Sequence, residues 1–312
     1  MDEYNDYEEA RRAMNEMAKR HLEVDQFTKE LFQESSDRIQ KQIDDMYLRY
    51  ANTLGLTRAE MRKQADAMDI MKFQDAARLA VARRDFSEDT NRWLKVYNLK
   101  MRASRLELIK AQLDLELLTL YSDLDEHSNE LFNAEALLEM ERQAGILGHS
   151  AKLAPERLKQ IVNASFYGNN FKETVWGRNG HYMNTRKEVF KILSQIYTDM
   201  NGFKEHRRYL EKRMKVKRHE AERLIKTEIS RINAETAMAM YDENGVTHYQ
   251  YIAEPGACSI CDGLNMKIFE NDEKEIGTNF YPMHPNCRCT TIGIMEMVYK
   301  DGRSNLDEYR KG

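Results

Sequence analysis

All four cysteines of this 312-residue chain lie within one stretch, between residues 258 and 289. Cys258 and Cys261 form a Cys-x-x-Cys pair, which can turn tightly enough to present both sulfurs to one tetrahedral metal ion. His284 and Cys287 lie three residues apart and can supply a second pair, with Cys289 close behind them. Five ligand residues for four positions leave one spare, either His284 or Cys289. Thiolate and imidazole ligands in a closed tetrahedral set favour zinc.

Disulfides and buried free thiols are the alternatives to a metal site. The first residues, Met1 to Asp6, show no basic segment followed by an apolar one, so no secretory signal is visible. A reducing compartment is therefore expected, and disulfides are disfavoured there. Thiols that only fill a core would not all fall within 32 residues of the chain. The sequence predicts a structural metal site.

Glycine and proline divide the chain into two halves of different character. Before Gly145 there is one glycine, Gly55, and no proline, whereas all four prolines lie beyond it. Long segments without either residue and rich in Ala, Leu, Glu, Lys, Arg and Met have strong helix propensity. The first half is therefore predicted to be mostly helix, with a break at Gly145 to Gly148 and a new helix starting at Pro155.

Apolar residues at steps of three and four mark the buried faces of two long helices in this half. The first stripe is Ile39, Ile43, Met46 and Tyr50. Gly55 is predicted to end this helix, and Thr57 to Glu60 form a capping box for the next element. The second stripe, on an element beginning near Ser87, is Leu106, Ile109, Leu113, Leu117, Leu120 and Leu124. These stripes are typical of the core of a helical hairpin or bundle, and a groove for a partner's helix is the alternative.

Composition narrows the class of protein further. Charged residues make up 32% of the chain and hydrophobic residues 41%, with a formal charge of −4, so the overall charge indicates no partner. No apolar run approaches the roughly 18 residues that a membrane helix needs. Aromatic residues also cluster among the glycines between 166 and 180, where they are predicted to pack a loop onto the helices, base stacking being the alternative.

A strongly basic stretch follows in the second half. Residues 204 to 231 hold eleven lysines and arginines against five glutamates. Such a density of charge can attract a phosphate backbone, although a solvated helix face has the same pattern. The candidate nucleic-acid-binding residues are Lys204, Arg207, Arg208, Lys212, Arg213, Lys215, Lys217 and Arg218.

The period of the pattern changes after Tyr241. Asn244-Gly245 is a turn signal, and residues 246–253 alternate as a strand does. Residues 267–269 and 289–294 are further strand candidates. The chain is thus predicted to be mainly α, with long helices and helical hairpins followed by a small C-terminal α+β zinc-binding module. We expect a helical region at 1–150, a helical region with the basic helix at 151–240, and the metal-clipped module with a charged tail at 241–312.

Three motifs resemble the phage head-morphogenesis family, the Mu F-like minor head proteins of tailed bacteriophages. The first is the helix at residues 221–228, Ala-Glu-Arg-Leu-Ile-Lys-Thr-Glu, with Asn233 and Ala234 following it. The second is the segment from Tyr241 to Tyr251 that leads into Cys-Ser-Ile-Cys-Asp-Gly-Leu-Asn at 258–265. The third and most specific is Tyr-Pro-Met-His-Pro-Asn-Cys-Arg-Cys at 281–289. The resemblance covers roughly residues 160–296.

This resemblance implies a structural role and no enzymatic activity. Members are minor capsid proteins of the head interior, associated with the portal vertex, that assist head assembly, DNA packaging or genome delivery. The implied partners are the portal protein and other head proteins, with phosphate contacts to double-stranded DNA as a further candidate, and with neither a membrane nor a small-molecule substrate. The implied location is the capsid interior of the virion, after assembly in the host cytoplasm.

Two other functions compete with this interpretation. A zinc-dependent nuclease would use His284 as its base, but it would also need an Asp-His pair and an open metal position, and no Asp-His dipeptide occurs in the chain. A zinc-module DNA-binding regulatory protein would need a helix that the metal positions for a DNA groove. The basic stretch lies well upstream of the cysteines, which disfavours a regulator of this kind. The regulator remains the alternative to the head protein.

Overall fold

The computed structural model describes residues 3–51, 105–147, 152–198, 202–299 and 301–309. Gly55, the capping box at 57–60 and the predicted start of a helix near Ser87 lie outside these ranges. Met46 and Tyr50 belong to the first helix, but their side chains also lie outside the described part.

The described residues are mainly helical, with one small sheet near the C-terminus. The helices are α1 (Glu3–Ala51), α2 (Arg105–Leu147), α3 (Pro155–Val162), α4 (Phe171–Trp176), α5 (His181–Thr198), α6 (Phe203–Asn244), α7 (Ser259–Asp262) and α8 (Leu306–Tyr309). The strands are β1 (His248–Ile252), β2 (Ile268–Glu270) and β3 (Thr290–Ile294), which confirms the three predicted strands. None of the helices in these ranges has the length and hydropathy needed to cross a bilayer.

Several helix ends follow from local sequence. Pro155 opens α3, where its missing N–H costs nothing because the first turn leaves its N–H groups unpaired. Gly245 ends α6 in the left-handed region, with φ of 68°, as the Asn-Gly signal predicts. The break predicted at residues 145–148 begins later than expected, because α2 includes Gly145 and continues to Leu147.

The residues group into two compact units, each assembled from segments that are distant in sequence. One unit comprises Met1–Phe27, Glu126–Phe171 and Glu220–Gly312, and the other comprises Thr28–Asp125 and Lys172–His219. The second unit contains only helices and their connections in its described part, including the turn at residues 177–180. The first unit contains the sheet and all four cysteines.

In the helical unit, the predicted stripe of α2 is core. Its buried members are Ile109, Leu113, Leu117, Leu120 and Leu124, and Ile39 and Ile43 of α1 are buried as well. Leu115 and Leu118, which lie off that stripe, are buried too, and they pack with Trp176 and Tyr182. Helix α2 is therefore covered on more than one side, which a single-stripe pattern does not predict.

Buried polar contacts fix the aromatic residues of this unit. The hydroxyls of Tyr121 and Thr185 are 2.7 Å apart, and the Trp176 indole donates to Asp125 at 3.0 Å. Tyr182 donates to Asp114 at 2.6 Å. These bonds give the polar ends of the aromatic rings partners within the core. Trp176 therefore packs onto the helices, as its position in a glycine-rich connection predicts.

The sheet of the other unit is antiparallel, in the order β2-β1-β3. On one face, Ile252 and Ile292 pack with Ala10 and Met14 of α1 and with Ile146. The opposite face carries Tyr249 and Tyr251, which pack with α6 and with the buried cysteines. Helix α1 thus covers a face of the sheet that lies more than 200 residues later in the sequence.

Gly293 of β3 lies directly against Tyr241 of α6. It lies opposite Tyr249 in the ladder, and a Cβ atom at Gly293 would come within 2.6 Å of Cε1 of Tyr241. The Tyr241 ring is fully buried, and its hydroxyl is 2.9 Å from that of Thr291. Because the ring is held at both ends, it has little freedom to move away from an added methyl group.

Gly293→Ala is therefore expected to lower the free energy of unfolding by about 1–3 kcal/mol, the usual cost of overpacking a well-filled core. Urea denaturation of the full chain measures this. Gly145→Ala is the control, because Gly145 lies in α2 with no atom near its Cβ position. That variant should be neutral or gain about 0.5–1 kcal/mol. Equal effects of the two substitutions would contradict the close packing of Tyr241 on Gly293.

Candidate metal centre

The first ligand pair lies at the start of a single helical turn. Cys258 is the N-cap residue of α7, and Cys261 lies within it. The turn is closed by the Asp262 N–H, which donates to the Cys258 carbonyl at 2.9 Å. Because one turn of helix brings residues three apart onto one side, the two sulfurs face the same point.

The second group of ligands lies in the loop that leads into β3. The Cys287 N–H donates to the His284 carbonyl at 3.2 Å, which folds this loop into a turn. Asn286 adopts a left-handed conformation with φ of 64°, one that asparagine tolerates better than most residues. Cys289 directly precedes β3, so the sheet fixes its position.

The structure brings all five predicted ligands together in two overlapping groups. The ligand atoms of Cys258, Cys261 and His284 lie within 4.8 Å of one another, and so do those of Cys261, Cys287 and Cys289. Cys261 Sγ and His284 Nε2 are 3.4 Å apart. Zinc bonds of about 2.3 Å to sulfur and about 2.0–2.1 Å to nitrogen, at a tetrahedral angle, separate two such atoms by about 3.5 Å. The chemistry of the donors and the Cys261–His284 distance therefore fit zinc, and Cys261 is the one member that both groups of three share.

His284 is oriented as a metal-binding histidine is. Its Nδ1 lies 2.9 Å from the Pro285 carbonyl oxygen, which can only accept, so Nδ1 carries the proton in this tautomer. Nε2 is then left with a lone pair on the side of Cys261. The bond to Pro285, followed by the contact with Cys261, raises the His284 pKa, although partial burial opposes the shift.

Three of the sulfurs are held where water is excluded. Cys261, Cys287 and Cys289 are buried and Cys258 is exposed, and none of the four is in a disulfide. The hydrogen bond from Cys287 lowers the pKa of Cys261 to about 4, and the same contact raises that of Cys287. Hydrogen bonds from neighbouring groups can thus stabilise one thiolate. Additional thiolates at this site would repel it unless a cation lies between them. A divalent ion would remove that penalty.

Tyr251 of β1 adds an unsatisfied polar group beside the sulfurs. Its hydroxyl is buried and forms no hydrogen bond of ordinary geometry. Burial, and then the neighbouring Cys287 and Cys289, raise its pKa. A neutral phenol next to thiolates is a suitable outer donor for metal-bound sulfur.

The residues of the Thr-Glu…Asn helix motif tie α6 to other segments. The Thr227 hydroxyl accepts from the Asn286 N–H at 3.3 Å, so this helix holds the second ligand loop. Glu228 accepts from Arg231 at 2.7 Å, and Arg231 donates to the carbonyls of Ile161 and Val162 at 2.9 and 3.2 Å. These carbonyls lie in the last turn of α3, which leaves carbonyls without α-helical partners, and that of Ile161 also accepts from the Ala164 N–H at 3.2 Å.

The sequence did not point to Arg142 of α2, which anchors the start of β3. Its Nη2 donates to the Thr290 hydroxyl at 2.9 Å, and its Nε and Nη2 donate to Glu139 at 2.8 and 2.6 Å. Burial opposes its charge, but the Glu139 carboxylate outweighs burial and keeps the Arg142 pKa above its ordinary value. A Glu-x-x-Arg spacing is common on exposed helices, so nothing in the sequence marked this pair as buried.

The eight predicted nucleic-acid-binding residues lie on α6, in the helical unit, and three of them are engaged within that unit. Arg213 donates to both oxygens of Glu188, at 2.7 and 2.8 Å, and the buried Lys217 lies 3.3 Å from the same carboxylate. The bond from Arg213 lowers the pKa of Glu188. Arg207 pairs with Asp44 at 3.1 Å.

The other five of these eight residues are at least partly exposed. Lys215 pairs with Glu211 at 2.7 Å across one helical turn, and Arg218 contacts His219 at 3.1 Å. Lys204, Arg208 and Lys212 are exposed. The eight predicted residues therefore form no uniform surface, and these last three are the best placed to meet a phosphate backbone.

Taken together, the geometry defines a mainly helical protein with a small sheet and, beside that sheet, a clustered set of candidate metal ligands. Residues 198–292 match the family described as phage Mu protein F like protein. This match includes all five candidate ligands and confirms, for this segment, the phage head-morphogenesis family that the motifs indicated. No curated protein and no solved structure matches the chain significantly.

If one zinc ion is held here, the purified full chain should contain about one zinc per molecule, and Cys261→Ser should remove it, since Cys261 belongs to both groups. Elemental analysis after dialysis measures the zinc content. Ser259→Ala, at an exposed position between the paired cysteines, is the control and should keep the ion.

His284→Ala and Cys289→Ser identify the spare ligand. The residue whose replacement leaves about one zinc per chain is the spare ligand. The visible spectrum of the cobalt-substituted protein reports the number of bound thiolates. A Cys261→Ser protein with as much zinc as the unmodified chain would contradict the shared role of Cys261.

Proposed function

We propose that the chain is a minor head protein of a tailed bacteriophage, a structural component associated with the portal vertex inside the capsid. The observation that carries the proposal is that the matched segment, residues 198–292, contains all five candidate metal ligands, which cluster in the C-terminal lobe around the sheet (residues 248–294). The zinc ion would be structural, holding the loops of 258–265 and 281–289 against the sheet and α6. The zinc ion would keep the C-terminal lobe folded during head assembly, DNA packaging or genome delivery.

The ligand set supports a structural ion and not a catalytic one. Catalytic zinc sites keep three protein ligands and an open position, whereas five candidate donors, in two groups of three that share Cys261, are available here for four positions. The chain would therefore not be an enzyme. Intact plasmid after incubation with the protein and a divalent ion is the expected result, and metal-dependent cleavage that is lost in Cys261→Ser would contradict it.

The surroundings of the site also disfavour a regulator that reads DNA through a metal-positioned helix. The helix that carries the first ligand pair, α7, has only four residues, Ser259–Asp262, and its N-cap is Cys258. A recognition helix must present several side chains along a major groove, which takes more than one turn.

Association with the portal is tested by reconstitution of the head. The full chain, co-expressed with the portal protein of the same phage, should co-purify with it and should cross-link to it in assembled heads. Cys261→Ser should lose this association if the zinc-bound lobe supports it, and Ser259→Ala should keep it. Heads that contain portal but lack this chain would contradict the proposed role.

DNA contact is a second part of the proposal, and it depends on the exposed cations of α6. Lys204→Glu, Arg208→Glu and Lys212→Glu together should weaken binding to double-stranded DNA and reduce its salt dependence. Removing one phosphate-binding cation should lower the slope of log affinity against log salt by about 0.9. A fluorescence titration of the full chain at several salt concentrations measures both quantities.

The matched control makes the same change of charge elsewhere. Lys29, Lys41 and Lys172 are exposed and lie outside the basic stretch. Their triple replacement by glutamate should leave the slope nearly unchanged, apart from a general effect of net charge. Similar weakening in both triple variants would show that α6 has no special DNA-binding role. Arg213 and Lys217 are unsuitable for this test, because charge reversal there breaks the ion pairs with Glu188.

A further inference from the structure

Tyr251 of β1 lies between the two segments that carry the candidate metal ligands. Its N–H donates to the Lys267 carbonyl at 2.9 Å, and its carbonyl accepts from the Met266 N–H at 2.8 Å. These two bonds join it to the chain just after the first ligand pair. On the other side of β1, it lies opposite Thr291 of β3, two residues after the last cysteine. The backbone of Tyr251 is therefore fixed by both ligand-bearing segments.

The Tyr251 hydroxyl lies among the buried sulfurs. The whole residue is 0% exposed and packs in one cluster with Cys261, Cys287 and Cys289. Burial first, and then interactions with these three cysteines, raise its pKa, so they are its polar neighbours. Within the described part of the chain, the hydroxyl forms no hydrogen bond of ordinary geometry. Tyr251 thus holds one buried O–H donor beside three candidate ligands.

A metal-bound sulfur would be the acceptor that this donor lacks. The sulfur of a thiol accepts hydrogen bonds weakly, whereas a thiolate is charged and accepts them strongly. A buried donor without a partner is costly, so the protein gains when metal binding turns a neighbouring thiol into a thiolate. The hydrogen bond also offsets part of the negative charge that adjacent thiolates bring together.

We propose that Tyr251 is a positioning residue of the metal centre, whose hydroxyl donates to the metal-bound sulfur of Cys261 or Cys289. This role rests on the structural zinc of the proposed function and adds to it, because Tyr251 strengthens zinc binding without being a ligand. Outer hydrogen bonds of this kind orient a ligand atom and tune its basicity. The central strand of the sheet is thereby part of the metal centre.

Tyr251→Phe removes the hydroxyl and keeps the ring. The variant should bind zinc about tenfold more weakly, the lower end of the usual effect of losing an outer hydrogen-bond partner. Competition of the full chain with a chelator of known zinc affinity measures this. Tyr249→Phe is the matched control, because Tyr249 is equally buried on the same face of β1 but its hydroxyl donates to the Asn279 carbonyl at 3.5 Å. That variant should keep the zinc affinity of the unmodified chain.

The cobalt-substituted protein separates a hydrogen bond to sulfur from a role in packing alone. A thiolate that loses a hydrogen bond donates electrons more readily, so Tyr251→Phe should move the sulfur-to-cobalt charge-transfer band to longer wavelength. Tyr249→Phe should leave the band in place, and both proteins should fold because both keep the ring. Unchanged zinc affinity in Tyr251→Phe, or equal losses in the two variants, would overturn this role and leave the structural zinc site intact. An unmodified chain that binds no zinc would overturn both.

Discussion

The structure of the C-terminal lobe depends on how three buried sulfur atoms are accommodated. Cys261 lies in α7, Cys287 and Cys289 lie in the loop before β3, and the three are brought together without a disulfide. Thiols of this kind form only weak hydrogen bonds, and only one of them can ionise at low cost. A zinc ion would offset the repulsion between thiolates and form four metal–ligand bonds. It would also join the Cys258–Cys261 turn to the loop that leads into β3.

The lobe nevertheless does not depend on the metal ligands alone. One face of the sheet packs on Ala10 and Met14 of α1, and Arg142 of α2 binds the first residue of β3. These residues of α1 and α2 lie far outside the matched range of 198–292. The family segment therefore completes its core with helices from the first half of the chain. A deletion of those helices would expose Ile252 and Ile292 and leave Thr290 without its arginine.

The sequence predicted the parts of this structure that local patterns encode. The three strands, the Asn-Gly turn after α6, Pro155 at the start of α3 and the buried stripe of α2 all follow from propensity and periodicity. The clustering of the five ligands followed from the spacing of two short motifs, which can meet when the residues between them form a loop. The long-range contacts could not be predicted in this way. Nothing in the spacing of Glu139 and Arg142 shows that they are buried, or that Arg213 and Lys217 share Glu188 instead of facing solvent. Those outcomes depend on which helices pack together, which a periodic pattern does not specify.

The number and type of atoms bound to the proposed zinc ion can be measured directly. X-ray absorption at the zinc edge of the purified full chain reports the number and type of atoms bound to the metal. A closed structural site predicts four ligands, with sulfur at about 2.3 Å, nitrogen only if His284 is bound, and no water oxygen. A coordination shell with three protein ligands and an exchangeable oxygen would contradict the account, since it would place an open, reactive metal in the lobe that we assign to assembly.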